Sequence, residues 1–373
     1  MVSSRTIPDE IILEILLRLP VKSILRFNTL SKHYYSLIRS QFFIDRHLDL
    51  VRLTNRLNDR LIESPMQHYL RLFNRRSSPR FRSLESSSCL HNIYSKLEII
   101  GPIDGLYCVV DRNSELLGRG ISLWNPATSE EYILPLLPAT AKHFVYPCRL
   151  GCGFGYDQET NSYKIVTIYP SFLNMNKSML SMYVFDVSER TWRYYNEEHH
   201  DILPSSIITF GGVFFHGACH WIGSPIRLTV DPFPIYKILA LDMSMESSRV
   251  ISLPDVEVTF ARSNLSIVTL NGCLALIHSP EYAINEIISF SVWVMAEYGG
   301  VESWSMMYRV SLPHGIVGRS LGIFGNRFYV GEGEEGWIAS YDLDSKDVER
   351  YGLCCSICSF LPYEESLVRI ISS

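Results

Sequence analysis

The 373-residue sequence carries 34 Lys and Arg against 39 Asp and Glu, a net charge of −5, with 47% hydrophobic and 12% aromatic residues. That composition calls for a filled core and excludes a disordered chain, and the mild acidity gives no whole-chain pull toward nucleic acid or acidic membranes. The length fits a small module plus one large domain or two ordinary ones. No apolar run approaches the ~20 residues of a membrane span, and Met1 to Arg5 lead into the first predicted helix without a signal-peptide core. A soluble, intracellular protein is expected, cytoplasmic and/or nuclear. Its nine cysteines, odd in number and scattered, read as reduced and mostly buried.

The first predicted helix follows Ile7 and is stopped by Pro20. Pro8 suits a first helical turn, and Asp9 and Glu10 place negative charge at the positive end of the helix dipole. On a 3.6-residue period Ile11, Ile15 and Leu19 form one stripe with Ile12 and Leu16, while Leu13 and Leu17 fall off it. Two shorter helices follow, Val21 to about Thr29 and, capped by Ser31, Lys32 to about Arg39. With Phe27, Leu30, Tyr34, Leu37, Phe42 and Phe43 they carry more apolar surface than about 40 residues can bury alone. Each large apolar side chain left in water forfeits roughly 1.5–3 kcal/mol, so the surplus predicts a partner. An ordinary helical cap packed on its own domain is the alternative.

At these residues the sequence resembles the F-box family, most closely its plant branch. Ile7-Pro8-Asp9-Glu10-Ile11 stands at the family's Leu-Pro-x-Glu/Asp-Leu opening. Ile15-Leu16-x-Arg18-Leu19-Pro20-Val21-Lys22-Ser23-Ile24 matches its Ile-Leu-x-Arg-Leu-Pro-Val-Lys-Ser-Leu run, and Arg26-Phe27 follows. Leu30-Ser31-Lys32-His33-Tyr34 departs from it, with Tyr34 where Trp is usual. The resemblance implies docking on a Skp-type adaptor, and through it on a cullin and RING ubiquitin ligase. The residues that match the motif are Pro8, Ile11, Ile15, Leu16, Leu19, Pro20, Val21, Ile24, Leu25, Phe27 and Tyr34. Spacing does not separate those that would face a partner from those that hold the helices together.

From His47 to about Leu97 the pattern loosens. Arg71 to Ser83 is basic and Ser-rich and runs on toward Ser86-Ser87-Ser88. A linker or insert is expected; a nucleic-acid patch with Phe73 and Phe81 for stacking is disfavoured by the overall acidity and by the Ser, Pro and Asn that break up the arginines.

Beyond Ile99 short apolar segments close on Gly, Pro, Asn and Asp. Strands are predicted at Leu106 to Val110, Ile121 to Trp124, Ile165 to Tyr169, Met182 to Val187, Gly212 to Phe215, Ile238 to Leu241, Ile267 to Leu270, Ile287 to Met295, Phe328 to Gly331 and Ile338 to Leu343. Five of them end alike, at Trp124-Asn125, Phe185-Asp186, Leu241-Asp242, Trp293-Val294 and Tyr341-Asp342, with leading residues 61, 56, 52 and 48 apart. That spacing suits a kelch-like blade and favours a propeller over a two-sheet sandwich. The same region resembles the plant F-box-associated domain through an ordered set that includes Trp124-Asn125-Pro126-Ala127-Thr128, Gly153-Phe154-Gly155-Tyr156-Asp157, Gly217-Ala218-Cys219-His220-Trp221, Leu270-Asn271-Gly272-Cys273-Leu274 and Ser303-Trp304. It departs at Gly101-Pro102-Ile103-Asp104-Gly105-Leu106, which blurs the start of the first blade, and Pro362 to Val368 fits a C-terminus that returns to it.

No catalytic constellation emerges. His216 and His220 flank Cys219 in extended sequence without a third ligand at motif spacing, and His199-His200 reads as loop. Cys355 and Cys358, with Cys354 adjacent, have no second pair at zinc spacing and read as thiols. Asp157, Asp186, Asp242 and Asp342 could be imagined as a glycosidase pair but recur at strand ends as turn residues. Gly331 to Gly336 carries three acids, which repel phosphate, and reads as a hairpin tip.

The expected architecture is α+β and multidomain: a three-helix F-box over residues 1–46, a helical, basic and Ser-rich linker or insert over 47–96, and a mainly β, kelch-like propeller of five or six blades over 97–373. The expected function is that of a non-catalytic substrate receptor, with a Skp-type adaptor and an unidentified protein target as partners and without cofactor, metal, nucleic acid or membrane. A ligase-independent scaffold and a ligand-binding or enzymatic propeller are the alternatives. Target specificity is expected on loops at one rim.

Overall fold

The structure, a computed structural model, describes residues 7–54, 60–65, 71–74, 82–83, 97–111, 120–138, 151–174, 177–195, 206–207, 209, 211–224, 236–254, 264–279, 289–299, 303–312, 318–332, 337–351 and 357–371. It begins with four helices, α1 (Asp9–Leu17), α2 (Val21–Phe27), α3 (Lys32–Ile38) and α4 (Gln41–Thr54). Pro8 precedes α1 in extended conformation (φ −56°, ψ 144°) and Pro20 does the same for α2. Ser31 caps α3 by accepting from the Tyr34 amide at 3.3 Å, and Ser40 caps α4 by accepting from the Phe43 amide at 3.3 Å.

The fourth helix corrects the three-helix expectation. Its buried face is Phe43, Ile44, His47 and Leu48, at helical spacing, with Asp45, Arg46, Asp49 and Arg52 exposed. The charged face is what made the sequence pattern loosen after His47. His47 Nε2 donates to the carbonyl of Leu19 at 3.0 Å, tying α4 to the end of α1.

The described residues after the helices carry six antiparallel sheets. One holds β1 (Arg60–Pro65), β2 (Arg71–Asn74) and β3 (Arg82–Ser83), completed by the last strand of the chain, β25 (Ile357–Pro362), in the order β25-β1-β2-β3. The second is β4 (Leu97–Ile103), β5 (Leu106–Asp111), β6 (Ile121–Asn125) and β7 (Glu130–Ile133), and the third β8 (Gly151–Asp157), β9 (Ser162–Asn174), β10 (Lys177–Asp186) and β11 (Thr191–Tyr195). The fourth is β12 (Ser206–Ile207), β13 (Val213–Phe215), β14 (Ala218–Ser224), β15 (Lys237–Asp242) and β16 (Ser248–Ser252). The fifth is β17 (Asn264–Leu270), β18 (Cys273–Ser279), β19 (Ser289–Met295) and β20 (Trp304–Ser311), and the sixth β21 (Gly318–Phe324), β22 (Arg327–Glu332), β23 (Trp337–Asp342) and β24 (Val348–Tyr351).

Their innermost strands touch in a closed circuit, β25, β4, β8, β13, β17, β21 and back to β25, around a central cavity of about 560 Å³. The fold is a six-bladed propeller and not a sandwich. Each of the six blade interfaces has its own apolar core. Ile62 and Leu361 of the first blade pack on Leu97, Tyr107 and Trp124 of the second, and at the other side of the ring Leu61 and Phe360 pack on Tyr329, Ile338 and Tyr351 of the sixth. Trp221 and Leu239 pack on Val166 and Val184 between the third and fourth. A blade exposes an apolar face on each side, so only closure of the ring covers both.

All ten predicted strands are present in the described residues, with Ile287 and Ile288 outside them. Residues 47–96, expected as a helical, basic and Ser-rich linker or insert, carry the second half of α4 and, which was not expected, the strands β1 to β3. Within the basic segment Arg71 to Asn74 and Arg82-Ser83 are outer strands of the first blade, while Arg75 to Phe81 and Ser86 to Ser88 lie outside the described residues. An outer strand of four residues or fewer is too short to show an alternation, which is why sequence pattern missed it.

Candidate functional site

The helical unit buries Leu16, Leu17, Val21, Ile24, Ile38, Phe43 and Ile44. Its surface retains Ile11 at 52% exposure, Ile15 at 50%, Leu30 at 63% and Phe42 at 57%, together with exposed Ile7 and Tyr35. On α1 the outward stripe is Ile11 and Ile15, one turn apart, and Ile7, ahead of the helix, is exposed as well. Leu17, off the predicted stripe, is buried, and Leu13 packs half-buried against the same core.

Of the residues that match the F-box motif, Pro8, Ile11, Ile15 and Pro20 are exposed, Leu19, Leu25, Phe27 and Tyr34 are half-buried, and Leu16, Val21 and Ile24 are interior. The last three hold the helices together. Tyr34 packs against the helical core and meets the His33 ring edge-on at 5.5 Å. Ile7, Leu30 and Phe42 stand at positions of the F-box motif but were not among the eleven residues given to the adaptor contact, and Tyr35 was not singled out at all.

The opposite side of the unit sits on the propeller through the segment after β25. The Val21 amide at the start of α2 donates to Glu365 Oε1 at 2.8 Å. Proline at the preceding position has no side-chain oxygen to cap α2, so the cap comes from 344 residues away. Leu367 and Ala127 are buried within the helical core, and Arg52 of α4 reaches Glu364 at 2.8 Å and Asp104 at 2.7 Å. Asn125 Nδ2 donates to the carbonyls of Ser366 at 3.1 Å and Val368 at 2.8 Å, and the Tyr107 hydroxyl donates to Pro362 and accepts from the Glu364 amide. Asp104, Ala127 and the end of β25 mark the end of the propeller that faces the helices.

That end carries the repeat. Asn125, Asp186, Asp242 and Asp342 each finish the third strand of a blade and accept from the amides two and three residues on, at 2.8 to 3.3 Å. Asp157 makes the same turn between β8 and β9. In all five the residue four places on has positive φ, at Ser129, Asn161, Arg190, Glu246 and Lys346. The carboxylates imagined as a glycosidase pair are therefore occupied as turn acceptors. Trp293-Val294, the member without Asp or Asn, is followed by Met295 at the end of β19, whose side chain has no oxygen to accept the turn amides.

Between the third and fourth blades these turns enclose an ion cluster. Lys164, 2% exposed, lies 2.9 Å from Asp157 and 3.0 Å from Glu246 and donates to the Met243 carbonyl at 2.6 Å. Burial pushes the Asp157 carboxyl up, but hydrogen bonds from Ser244, Lys164 and Thr160 outweigh it and hold it well below the usual carboxylate range. His220 is also interior. Nδ1 donates to the Val213 carbonyl at 3.1 Å and Nε2 accepts from the Tyr298 hydroxyl at 2.7 Å, and burial lowers its pKa to about 4. His216 is an aromatic neighbour of Phe215 and Tyr298. Among the described residues no group of three or more His, Cys, Asp or Glu is placed to hold a metal ion. Cys108, Cys152 and Cys219 are buried free thiols. His199-His200, Cys354, Cys355 and Gly333 to Gly336 lie outside the described residues, as does the side chain of Cys358; Gly331 and Glu332 end β22, which pairs with β23. No described helix is long and apolar enough to cross a membrane.

Residues 65–370 match the family described as the F-box associated beta propeller domain, and residues 6–46 match the F-box domain. The chain is 25% identical over 336 residues to F-box protein At4g22390 of Arabidopsis thaliana, covering 83% of this chain and 75% of that one. It is 24% identical over 337 residues to F-box/kelch-repeat protein At3g23880 of the same plant, covering 84% and 81%. To the plant's F-box/LRR-repeat protein At2g43260 it is 26% identical over 403 residues, covering 99% and 84%.

Proposed function

The chain belongs to the F-box proteins with an F-box-associated β-propeller, and from this we propose that it is the substrate-recognition subunit of an SCF-type (Skp-cullin-F-box) ubiquitin ligase. In this reading Ile11 and Ile15, with Ile7, Pro8, Pro20 and the half-buried Leu19, Leu25, Phe27 and Tyr34, meet a Skp-type adaptor, which recruits the cullin and RING subunits. Leu16, Val21 and Ile24 act as scaffold beneath them. The observation that carries the reading is the apolar stripe left in water on α1, on a unit whose other side already rests on the propeller. The propeller holds the target and the chain itself does no chemistry: holding a target lysine near the charged enzyme raises its effective concentration. Such a protein works in the cytoplasm and/or nucleus.

The target-binding rim in this proposal is the end of the strands away from the helices. At the helix end β4 to β5, β13 to β14, β17 to β18 and β21 to β22 are joined by two residues each. At the far end the connections run to 17 residues, between Ile133 and Gly151, and long connections on a rigid scaffold are where recognition is placed.

The test is capture by a purified Skp-type adaptor of the wild type and of an Ile11→Asp, Ile15→Asp double variant. Both positions are half in water, so the fold tolerates the charges while a dry interface does not. The wild type is expected to bind, and the variant to lose at least tenfold in affinity with an unchanged thermal transition. Equal capture of both, or none of either, overturns the proposal, and failure of a cullin to co-purify with the bound adaptor restricts the protein to a ligase-independent scaffold.

A further inference from the structure

The segment that follows β25 runs from one blade interface to another with the helices stacked on it. Tyr363 is buried between the first and second blades, Ile370 between the second and third, and Leu367, between them, points into the helical core. Its fit on the propeller side is tight: a Cβ added at Gly105, in the β4–β5 turn, would stand 2.2 Å from Ser366 Cβ. On the helical side Glu365 caps α2, and Glu364, with Asp104, holds Arg52 of α4. Two helices that are not neighbours in sequence are thus anchored at two points on one segment. Two anchors fix an angle where one would leave a swivel.

We propose that residues 363–371 form a strut that sets the angle between the adaptor-docking helices and the propeller, with Arg52, Glu364 and Glu365 as its positioning residues. The helices would keep their own core without these polar anchors, because Leu16, Leu17, Val21, Ile24, Ile38, Phe43 and Ile44 stay buried against one another. What the strut supplies is direction. Its consequence for ubiquitin transfer rests on the receptor reading above: a target on the far rim is carried at a fixed distance from the adaptor only if this angle is fixed.

The experiment measures the distance distribution by electron–electron double resonance between spin labels carried on unnatural amino acids at exposed Ser36 on α3 and exposed Asp344 on the sixth blade, which leaves the nine cysteines untouched. The full chain is compared with an Arg52→Ala, Glu365→Ala double variant, which removes the donors to Glu364 and Asp104 and the acceptor of the Val21 amide, and with a chain ending at Pro362. A single narrow distribution is expected for the full chain and at least a doubling of its width in the double variant, whose capture by a Skp-type adaptor stays within twofold of wild type. An unchanged width in the double variant overturns the strut, and so does lost capture with the width unchanged. If the shortened chain does not fold, the double variant alone decides, since it removes no buried apolar group. If the unmodified chain fails to capture the adaptor, the receptor reading falls while the distances still report on the strut.

Discussion

His220 has both ring nitrogens committed, to the Val213 carbonyl of its own fourth blade and to the hydroxyl of Tyr298 from the fifth. Its pKa of about 4 in the folded chain lies below the ordinary 6.5, so between those values the unfolded chain binds the additional proton. Stability contributed by the neutral ring is complete above pH 6.5 and is lost as pH falls toward 4, by roughly 3 kcal/mol at the low end of that window, from ~1.4 kcal/mol per pH unit. Urea unfolding at pH 7 and pH 4.5 should show this loss, and His220→Gln should flatten it in part; His278, also lowered by burial, supplies the remainder in the same direction. A slope unaffected by the substitution would place the titrating group elsewhere. The sequence showed His216 and His220 four apart and left their surroundings open, because a strand's alternation says which residues share a face and not which carbonyl from the next strand meets a ring. Ile15 and Leu16 make the same point for the docking surface. Both match the motif, and only the packing of α1 on its neighbours puts one in water and the other in the core.

At the scale of elements, the repeated Asx turn explains why strands were the most legible part of the chain. An Asp or Asn that ends a strand accepts from two following amides and forces a residue of positive φ four places on, so an apolar run followed by Asx marks a strand end with a mechanism. The turns differ in burial, and their loss should differ accordingly. Asp242 accepts from the Ser244 and Met245 amides at a half-buried turn; Asp186 is buried and accepts also from the Ser162 and Ser188 hydroxyls. Asp242→Ala is expected to cost about 1 kcal/mol, the scale of a lost cap, and Asp186→Ala about 2–4 kcal/mol because buried donors are left unpaired. Chemical denaturation checks both, and equal costs would show that burial is not what separates them. The first blade escaped notice because its sheet is assembled from both ends of the chain. Even so, β2 ends in Phe73-Asn74, an aromatic residue beside Asn, 51 residues before Trp124-Asn125. That spacing continues the repeat one blade upstream, into the segment whose arginines had marked it as linker.

For the molecule as a whole the decisive feature is the pairing of β1 with β25, in which Leu61 faces Pro362, Ile62 faces Leu361 and Glu63 faces Phe360. The innermost strand of the first blade comes from the C-terminus and its outer strands come from directly after the helices. A chain begun at Leu97 would therefore keep every residue of the expected propeller span and still lack three strands of the ring. β25 would lose β1, its only sheet neighbour among the described residues, and Leu61 and Ile62, both buried at the flanking interfaces, would be gone. Two apolar side chains of this size are together worth roughly 3–6 kcal/mol of burial, a large share of the ~5–15 kcal/mol by which a folded domain is stable. Such a chain should melt well below the full-length protein, with a broadened transition and a tendency to associate through the two uncovered blade faces. A chain begun at Arg60, which omits the helices but keeps the closing sheet, should retain a single cooperative transition. Differential scanning calorimetry with light scattering on the two chains separates these outcomes. If both melt alike, closure through β1 and β25 contributes little, and the five blades formed within residues 97–351 are the stable unit. If only the longer chain melts cooperatively, the ring, the strut and the docking helices depend on one C-terminal segment. The geometry offered to an adaptor is then a property of the closed propeller and not of the helices alone.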